Sequence, residues 1–387
     1  MACAGWGQDA FGRDSVTNAI WRYEVIDMLN FTVGPVQMGE EVRNLGSGQI
    51  PYFRTSEFSA VVKENERLFL EFADAPQGSR AVFLTGSGTA GMEAAVMNTL
   101  SASDRALVVD GGGFGHRFAQ ICEVHGIPCD VVRLEAGRAL RADHLEPYEG
   151  GGHTAFLVNL CETSTGVLYD LELISEFCGR NDLFLIVDAV SAFLADELSM
   201  AQSGVDVVIT GSQKALALPP GMSLLALSPR ALERVAKSDP RCLYFDLRAA
   251  LADGDRGQTP FTPAVGVVLQ MNARLRQIEE CGLAAERERI AALAADFRRR
   301  AQSFPFSFLA ESPSNAVTAL RTNGASARVV VDTLKDDYGI WVCPNGGELS
   351  DSVFRVGHIG DLTLRDNDRL FAAFDAMVAR GLMEAVR

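Results

Sequence analysis

The sequence predicts an α/β fold: a large domain with a mostly parallel seven-stranded sheet covered by helices, plus a smaller α+β C-terminal domain. Three observations predict it. Between Ala81 and Ser228 short apolar, β-branched runs alternate with helix-patterned stretches, the signature of a sheet whose strands are joined by crossovers. After Thr262 this alternation gives way to a long Ala/Arg/Glu-rich stretch and then to shorter strands and helices. The length, 387 residues, exceeds what one ordinary core serves.

In chain order the expected strands are Ala81–Thr85, Ala106–Asp110, Cys129–Leu134, Thr154–Asn159, Leu183–Asp188, Val205–Thr210 and Ser223–Leu227. Helices are expected between them at Thr89–Leu100, Phe114–His125 and Leu171–Gly179, each long enough to return the chain over a parallel pair. One helical region should run from Thr262 to about Ser303. Strands near Asn315–Leu320, Ile340–Cys343 and Val353–Val356, with helices near Ala325–Asp337 and Asp366–Arg380, complete the smaller unit. The division expected is an N-terminal segment 1–30, a large domain 31–275 and a small domain 276–387, with the boundary inside the long helix near Arg276. The leader from Met1 to about Leu29 has no assignment beyond packing against a partner or the small domain.

Composition narrows the function. Apolar residues make up 48% of the chain and charged residues 22%, which suits a packed globular protein. A net charge of −15 without a basic stripe repels a phosphate backbone, so nucleic acid is not an expected partner. No apolar run is long enough to cross a bilayer, and a cytoplasmic protein is expected. The eight cysteines, Cys3, Cys122, Cys129, Cys161, Cys178, Cys242, Cys281 and Cys343, form no CxxC pair and have no His at ligand spacing. They read as free thiols, with neither a disulfide framework nor a metal site.

Ligands of such sheets gather at the carboxyl ends of the strands, so the loops that follow strands hold the candidates. Only four lysines occur among the 35 basic residues. Lys63, Lys237 and Lys335 lie in charged, helix-surface runs, whereas Lys214 follows the strand Val205–Thr210 and precedes Ala215-Leu216-Ala217-Leu218-Pro219-Pro220-Gly221. Small apolar neighbours desolvate an amine and favour its neutral, nucleophilic form. Asp188 ends the apolar run Leu183–Val187, where an ionised carboxylate needs a cation or donor, or else caps the next turn. Gly86-Ser87-Gly88-Thr89-Ala90-Gly91 links a strand to a helix, a turn that suits an anion, although such turns also serve nucleotides or merely turn.

Together these pieces resemble the class V aminotransferases of the pyridoxal phosphate (PLP) fold type I, the family of alanine–glyoxylate, serine–glyoxylate and 2-aminoethylphosphonate aminotransferases. The resemblance runs from about Phe31 to Arg380. It is carried by Val187-Asp188-Ala189-Val190-Ser191 and by Gly211-Ser212-Gln213-Lys214-Ala215-Leu216 with the following Pro-Pro-Gly.

The resemblance implies that Lys214 forms the Schiff base with PLP and shuttles the α-proton, while Asp188 holds the pyridinium nitrogen. It implies that Ser87, Gly88 and Thr89 hold the phosphate, helped by Gln213 and by Thr262 of a partner subunit, hence a homodimer with active sites at the subunit interface. Phe114, in Gly113-Phe114-Gly115-His116-Arg117, falls where the family stacks an aromatic ring on the cofactor, and Val190 would pack on the other face. Thr163, in Glu162-Thr163-Ser164-Thr165-Gly166, matches the residue whose hydroxyl meets the phenolic oxygen, with Ser164 as the alternative. Arg355, in Phe354-Arg355-Val356-Gly357-His358, matches the clamp for the substrate carboxylate, and Gly34 belongs to the loop lining the substrate entrance. Arg54 corresponds to a mobile family segment in which Phe53 replaces the usual His.

The implied function is transfer of an amino group from alanine, serine or 2-aminoethylphosphonate to pyruvate or glyoxylate, with small amino acids and 2-oxo acids as partners. One alternative is a cysteine desulfurase or other PLP lyase of the same fold, opposed by Gln213 where desulfurases carry His and by the lack of a loop cysteine in Arg355–Gly360. The other is a non-catalytic cofactor- or nucleotide-binding protein.

Overall fold

The computed structural model describes residues 28–239 and 242–383. Cys3 and nearly all of the 1–30 segment lie outside the described residues. The seven strands are β1 Arg80–Thr85, β2 Ala106–Asp110, β3 Cys129–Arg133, β4 Ala155–Asn159, β5 Phe184–Asp188, β6 Val207–Gly211 and β7 Met222–Leu227. All seven sit in one sheet, in the order β1-β7-β6-β5-β4-β2-β3. Every pairing is parallel except those of β7, which runs antiparallel to both β1 and β6.

Strands covered on both faces read as unbroken apolar runs, and β5 and β6 are buried at all of their positions. The register sets Asn159 of β4 beside Asp188 of β5, and Asp188 beside Ile209 of β6. Asp188 therefore stands at the carboxyl edge of the sheet's centre, beside Ile209, whose strand runs on into the turn that carries Lys214.

The covering helices include α1 Ser56–Phe72, α2 Gly88–Thr99, α3 Gly113–Val124 and α4 Leu171–Arg180. Caps define their starts: Thr55 Oγ1 accepts from Phe58 N, and Asp170 Oδ1 accepts from the amides of Glu172 and Leu173. Apolar side chains fill both faces of the sheet, one layer around Phe69, Phe156, Phe177 and Phe193, the other around Met92, Phe118 and Phe184.

The long helical region is two helices, not one: α5 Val265–Cys281 and α6 Leu283–Ala301 meet at Gly282. Beyond them a four-stranded antiparallel sheet has the order β8 Phe306–Phe308, β9 Val317–Thr322, β11 Val353–Gly357 and β10 Cys343–Pro344. It packs with α7 Ala327–Tyr338 and α8 Leu364–Ala379 around Phe297, Phe354, Phe371 and Phe374. The expected strand Ile340–Cys343 is split: Ile340–Trp341 pairs in parallel with Leu29–Asn30, and only Cys343–Pro344 joins the small sheet. Pro344 cannot donate to a ladder, which suits its place on the outer strand. Among the described residues no helix is long and apolar enough to cross a membrane.

Candidate active site

Lys214 sits in the turn after β6, flanked by buried Ala215, Leu216 and Leu218. The turn is tied by Ser212 Oγ, which donates to the Pro219 carbonyl at 2.7 Å, and by Leu218 N, which donates to the Ser212 carbonyl at 3.0 Å. Lys214 is only 7% exposed, and its Nζ donates to the carbonyl oxygen of Val33 at 2.6 Å. Burial among small apolar side chains disfavours the charged amine and pulls its pKa down to about 8.

Asp188 faces the same space. Its Oδ1 accepts from Val190 N at 2.9 Å, the one hydrogen bond to its carboxylate among the described residues. Burial outweighs that bond and the nearby Lys214 charge, and pushes the carboxyl up to about 6. A carboxylate this poorly compensated is a natural seat for a cationic N–H.

Ser87, Gly88, Thr89, Phe114, Thr163, Asp188, Val190, Gln213, Lys214 and Gly34 all line one cavity of about 640 Å³, its open mouth included. The sequence expectation thus converges on one place. Ser87 stands at the N-cap of α2 without a side-chain cap bond; Ala90 N and Gly91 N donate to its carbonyl, so the N–H groups of Gly88 and Thr89 stay available to an anion. Gly88 is close to Val190: a Cβ there would lie 2.7 Å from Val190 Cγ2. The amide of Gln213 keeps a buried oxygen without a partner. An open helix start, an undercompensated acid and a buried amine of lowered pKa around one cavity fit pyridoxal phosphate.

The wall that carries Phe114 is braced from behind by a residue that the sequence reading passed over. Glu162 is fully buried and accepts from five donors: the amides of Phe114 and Gly115, Asn159 Nδ2, and both the amide and the hydroxyl of Ser164. It thereby fills the start of α3 and fixes Phe114. The available signal was an acid placed, like Asp188, just after an apolar strand. The two hydroxyls differ in their surroundings: Ser164 Oγ donates to Glu162, while Thr163 lines the cavity, its Oγ1 2.6 Å from Ser191 Oγ. Ser191 lines the cavity too, although sequence reasoning gave it no role.

Two expected residues stand apart from that lining. Arg355, on β11, directs Nη1 to the Thr163 carbonyl (3.2 Å) and Nη2 to the Pro344 carbonyl (2.7 Å), and its Nε has no partner. It forms no ion pair among the described residues, and burial lowers its pKa from the usual arginine value. Thr262 lies in a loop that lines a separate apolar cleft against β1. Arg54 binds that loop, donating to Gln258 Oε1 and to the carbonyls of Thr259 and Pro260. A thiol also reaches the site, which its sequence setting did not suggest: Cys343 Sγ accepts from Val33 N at 3.3 Å, beside the carbonyl that holds Lys214.

Residues 48–354 match the family model described as aminotransferase class-V. An L-aspartate–glyoxylate aminotransferase of Paracoccus denitrificans is 31% identical over 79% of this chain and 77% of its own length. A protein named soluble hydrogenase, small subunit, from a Synechococcus strain is 30% identical over 78% of this chain and 80% of its own. The crystal structure of a subgroup IV aspartate aminotransferase from Thermus thermophilus superposes with a TM-score of 0.83 at 29% identity, covering 92% of this chain and 99% of that one. The chain belongs to the class V aminotransferases, PLP-dependent enzymes of fold type I.

Proposed function

We propose that this aminotransferase moves an amino group from a small amino donor to a 2-oxo acid at the cavity around Lys214. The observation that carries the reading is the meeting of a deprotonatable buried amine, Lys214 Nζ, with Asp188 and the open start of α2 in that one cavity. Bound PLP supplies a protonated pyridine ring that draws off the electron pair left when the donor's α-proton departs. Lys214 Nζ would take that proton from the α-carbon and deliver it to the cofactor's aldehyde carbon, acting as base and then acid. Asp188 holds the ring nitrogen's proton, the start of α2 with Ser87, Gly88 and Thr89 receives the phosphate, and Gln213 supports it. Phe114 and Val190 keep water from the two ring faces, and Thr163 offers its hydroxyl to the phenolic oxygen.

Arg355 is assigned the donor's carboxylate, because a half-buried guanidinium that meets only main-chain carbonyls and no acid is an anion site. Gly34 borders the substrate's path beside Lys214. Alanine, serine and 2-aminoethylphosphonate are the donors implied by the family, and the names of two relatives add aspartate. Glyoxylate is preferred over pyruvate as acceptor, as in the Paracoccus relative's name. A donor panel with each acceptor, followed by half-reaction spectra, tests this. If no donor converts the bound cofactor to its amino form, the transaminase reading fails.

The reading includes a cytoplasmic homodimer in which Thr262 serves the partner's phosphate site. Its support is the apolar surface beside that loop: Tyr52, Tyr244 and Phe261 are exposed, and Tyr244 and Phe261 stack at 5.3 Å. The division into 31–275 and 276–387 is part of the same proposal. Borohydride reduction and peptide mapping check the central assignment, with the pyridoxyl group expected on Lys214.

A further inference from the structure

The phosphate cradle of Ser87, Gly88 and Thr89 carries no formal charge, yet a phosphate dianion must enter a protein of net charge −15. Two cationic side chains line the cavity, Lys214 and Arg117. Lys214 is committed to the Val33 carbonyl. Arg117 projects from α3, is half-buried, and forms no ion pair among the described residues. Its Nη1 donates to Thr89 Oγ1 at 3.0 Å, and its guanidinium carbon lies 5.0 Å from the centre of the Phe114 ring.

We propose that Arg117 is the cationic arm of the phosphate cradle, orienting the Thr89 hydroxyl and supplying the charge that the Ser87–Thr89 turn lacks. Thr89 Oγ1 accepts from Arg117, so its own proton is left free to donate to a phosphate oxygen. A guanidinium carries further N–H groups in the same plane, the geometry that suits phosphate. The contact with the Phe114 face restrains the same side chain, so that one residue links the helix start that receives the phosphate to the ring that covers the cofactor.

This rests on the reading of Ser87–Thr89 as the phosphate site, and the test separates the two. Apoenzyme is titrated with PLP and with pyridoxal, which lacks the phosphate, for the unaltered chain and for Arg117→Met, Arg117→Gln and Thr89→Val. Loss of a charged hydrogen-bond donor should weaken PLP by about 10- to 100-fold and leave pyridoxal within about twofold. Equal weakening of both ligands, or no weakening of PLP, overturns the proposal. If Thr89→Val changes the PLP-to-pyridoxal ratio and the Arg117 variants do not, Arg117 fails and the cradle stands. If none of the variants changes it, the cradle reading fails as well. Apoenzyme melting temperatures report folding, and Arg117→Gln, which keeps a planar donor but no charge, decides should the Met variant not fold.

Discussion

Lys214 Nζ and the carbonyl oxygen of Val33 are 2.6 Å apart, so a main-chain acceptor holds the reactive amine at the cavity wall. A carbonyl can accept from either protonation state, and the lowered pKa of the amine has burial as its main cause. Capture of pyridoxal by the apoenzyme should therefore speed up through about pH 8 and level off above it. A stopped-flow pH profile that keeps rising to the ordinary lysine range would place the amine in water instead.

Gly34 leaves no room for a side chain. A Cβ there would meet Lys214 Cδ at 2.8 Å and Cε at 2.9 Å, and its φ of 137° is strained for any other residue. Gly34→Ala should fold yet lose about 10- to 100-fold in kcat/KM, the effect of roughly 1–3 kcal/mol of strain displaced onto the lysine. Steady-state kinetics beside a melting curve would check this, and unchanged kinetics would refute the close approach.

Asp188 titrates the other way. Its folded-state pKa, about 6, lies above the ordinary carboxyl value near 4, so between those pH values the native apoenzyme holds a proton that the unfolded chain has lost. Stability from this group falls as pH rises from about 4 to about 6, and stays lower above. Asp188→Asn should thus stabilise the apoenzyme at pH 7 by up to roughly 3 kcal/mol, with the gain vanishing near pH 4. Activity should drop by about 100- to 1000-fold, since the ring nitrogen loses its counter-charge. Denaturant titrations at the two pH values measure the first effect.

Glu162 gathers five donors from three segments of chain, and removing its carboxylate strands them in a dry interior. Glu162→Ala should cost about 2–4 kcal/mol of stability. It should also loosen Phe114, visible as weaker binding of PLP and pyridoxal alike. A variant as stable as the parent would show that water replaces the carboxylate.

What was legible in the sequence follows from how local each signal is. The central strands of the large sheet are near-continuous apolar runs, so burial on both faces marks them, while the outer strands β1 and β3 are only partly buried; the ends of all seven differ by at most two residues from expectation. Lys214 stood out because a lysine among Ala, Leu and Pro has few structural excuses. The break at Gly282 was hidden by similar Ala/Arg/Glu-rich composition on both sides. The proximity of Cys343 to the site arises from its register opposite Arg355 in the small sheet, and Arg117 reaches Thr89 only because α2 and α3 lie side by side. Such pairings are tertiary and leave no periodic trace.

The strand that seats Val33 also governs timing. Leu29 and Phe31 donate to the carbonyls of Gly339 and Trp341, Gly357 donates back to Phe31, and Val33 N meets a sulfur 310 positions away. On the ribosome, residues 29–33 emerge early but must wait for residues 339–357 before they can dock. Contacts of such long sequence separation form slowly. The large sheet can be complete while the wall beside Lys214 is still missing, so the acceptor that holds the amine is supplied only once the C-terminal strands have docked.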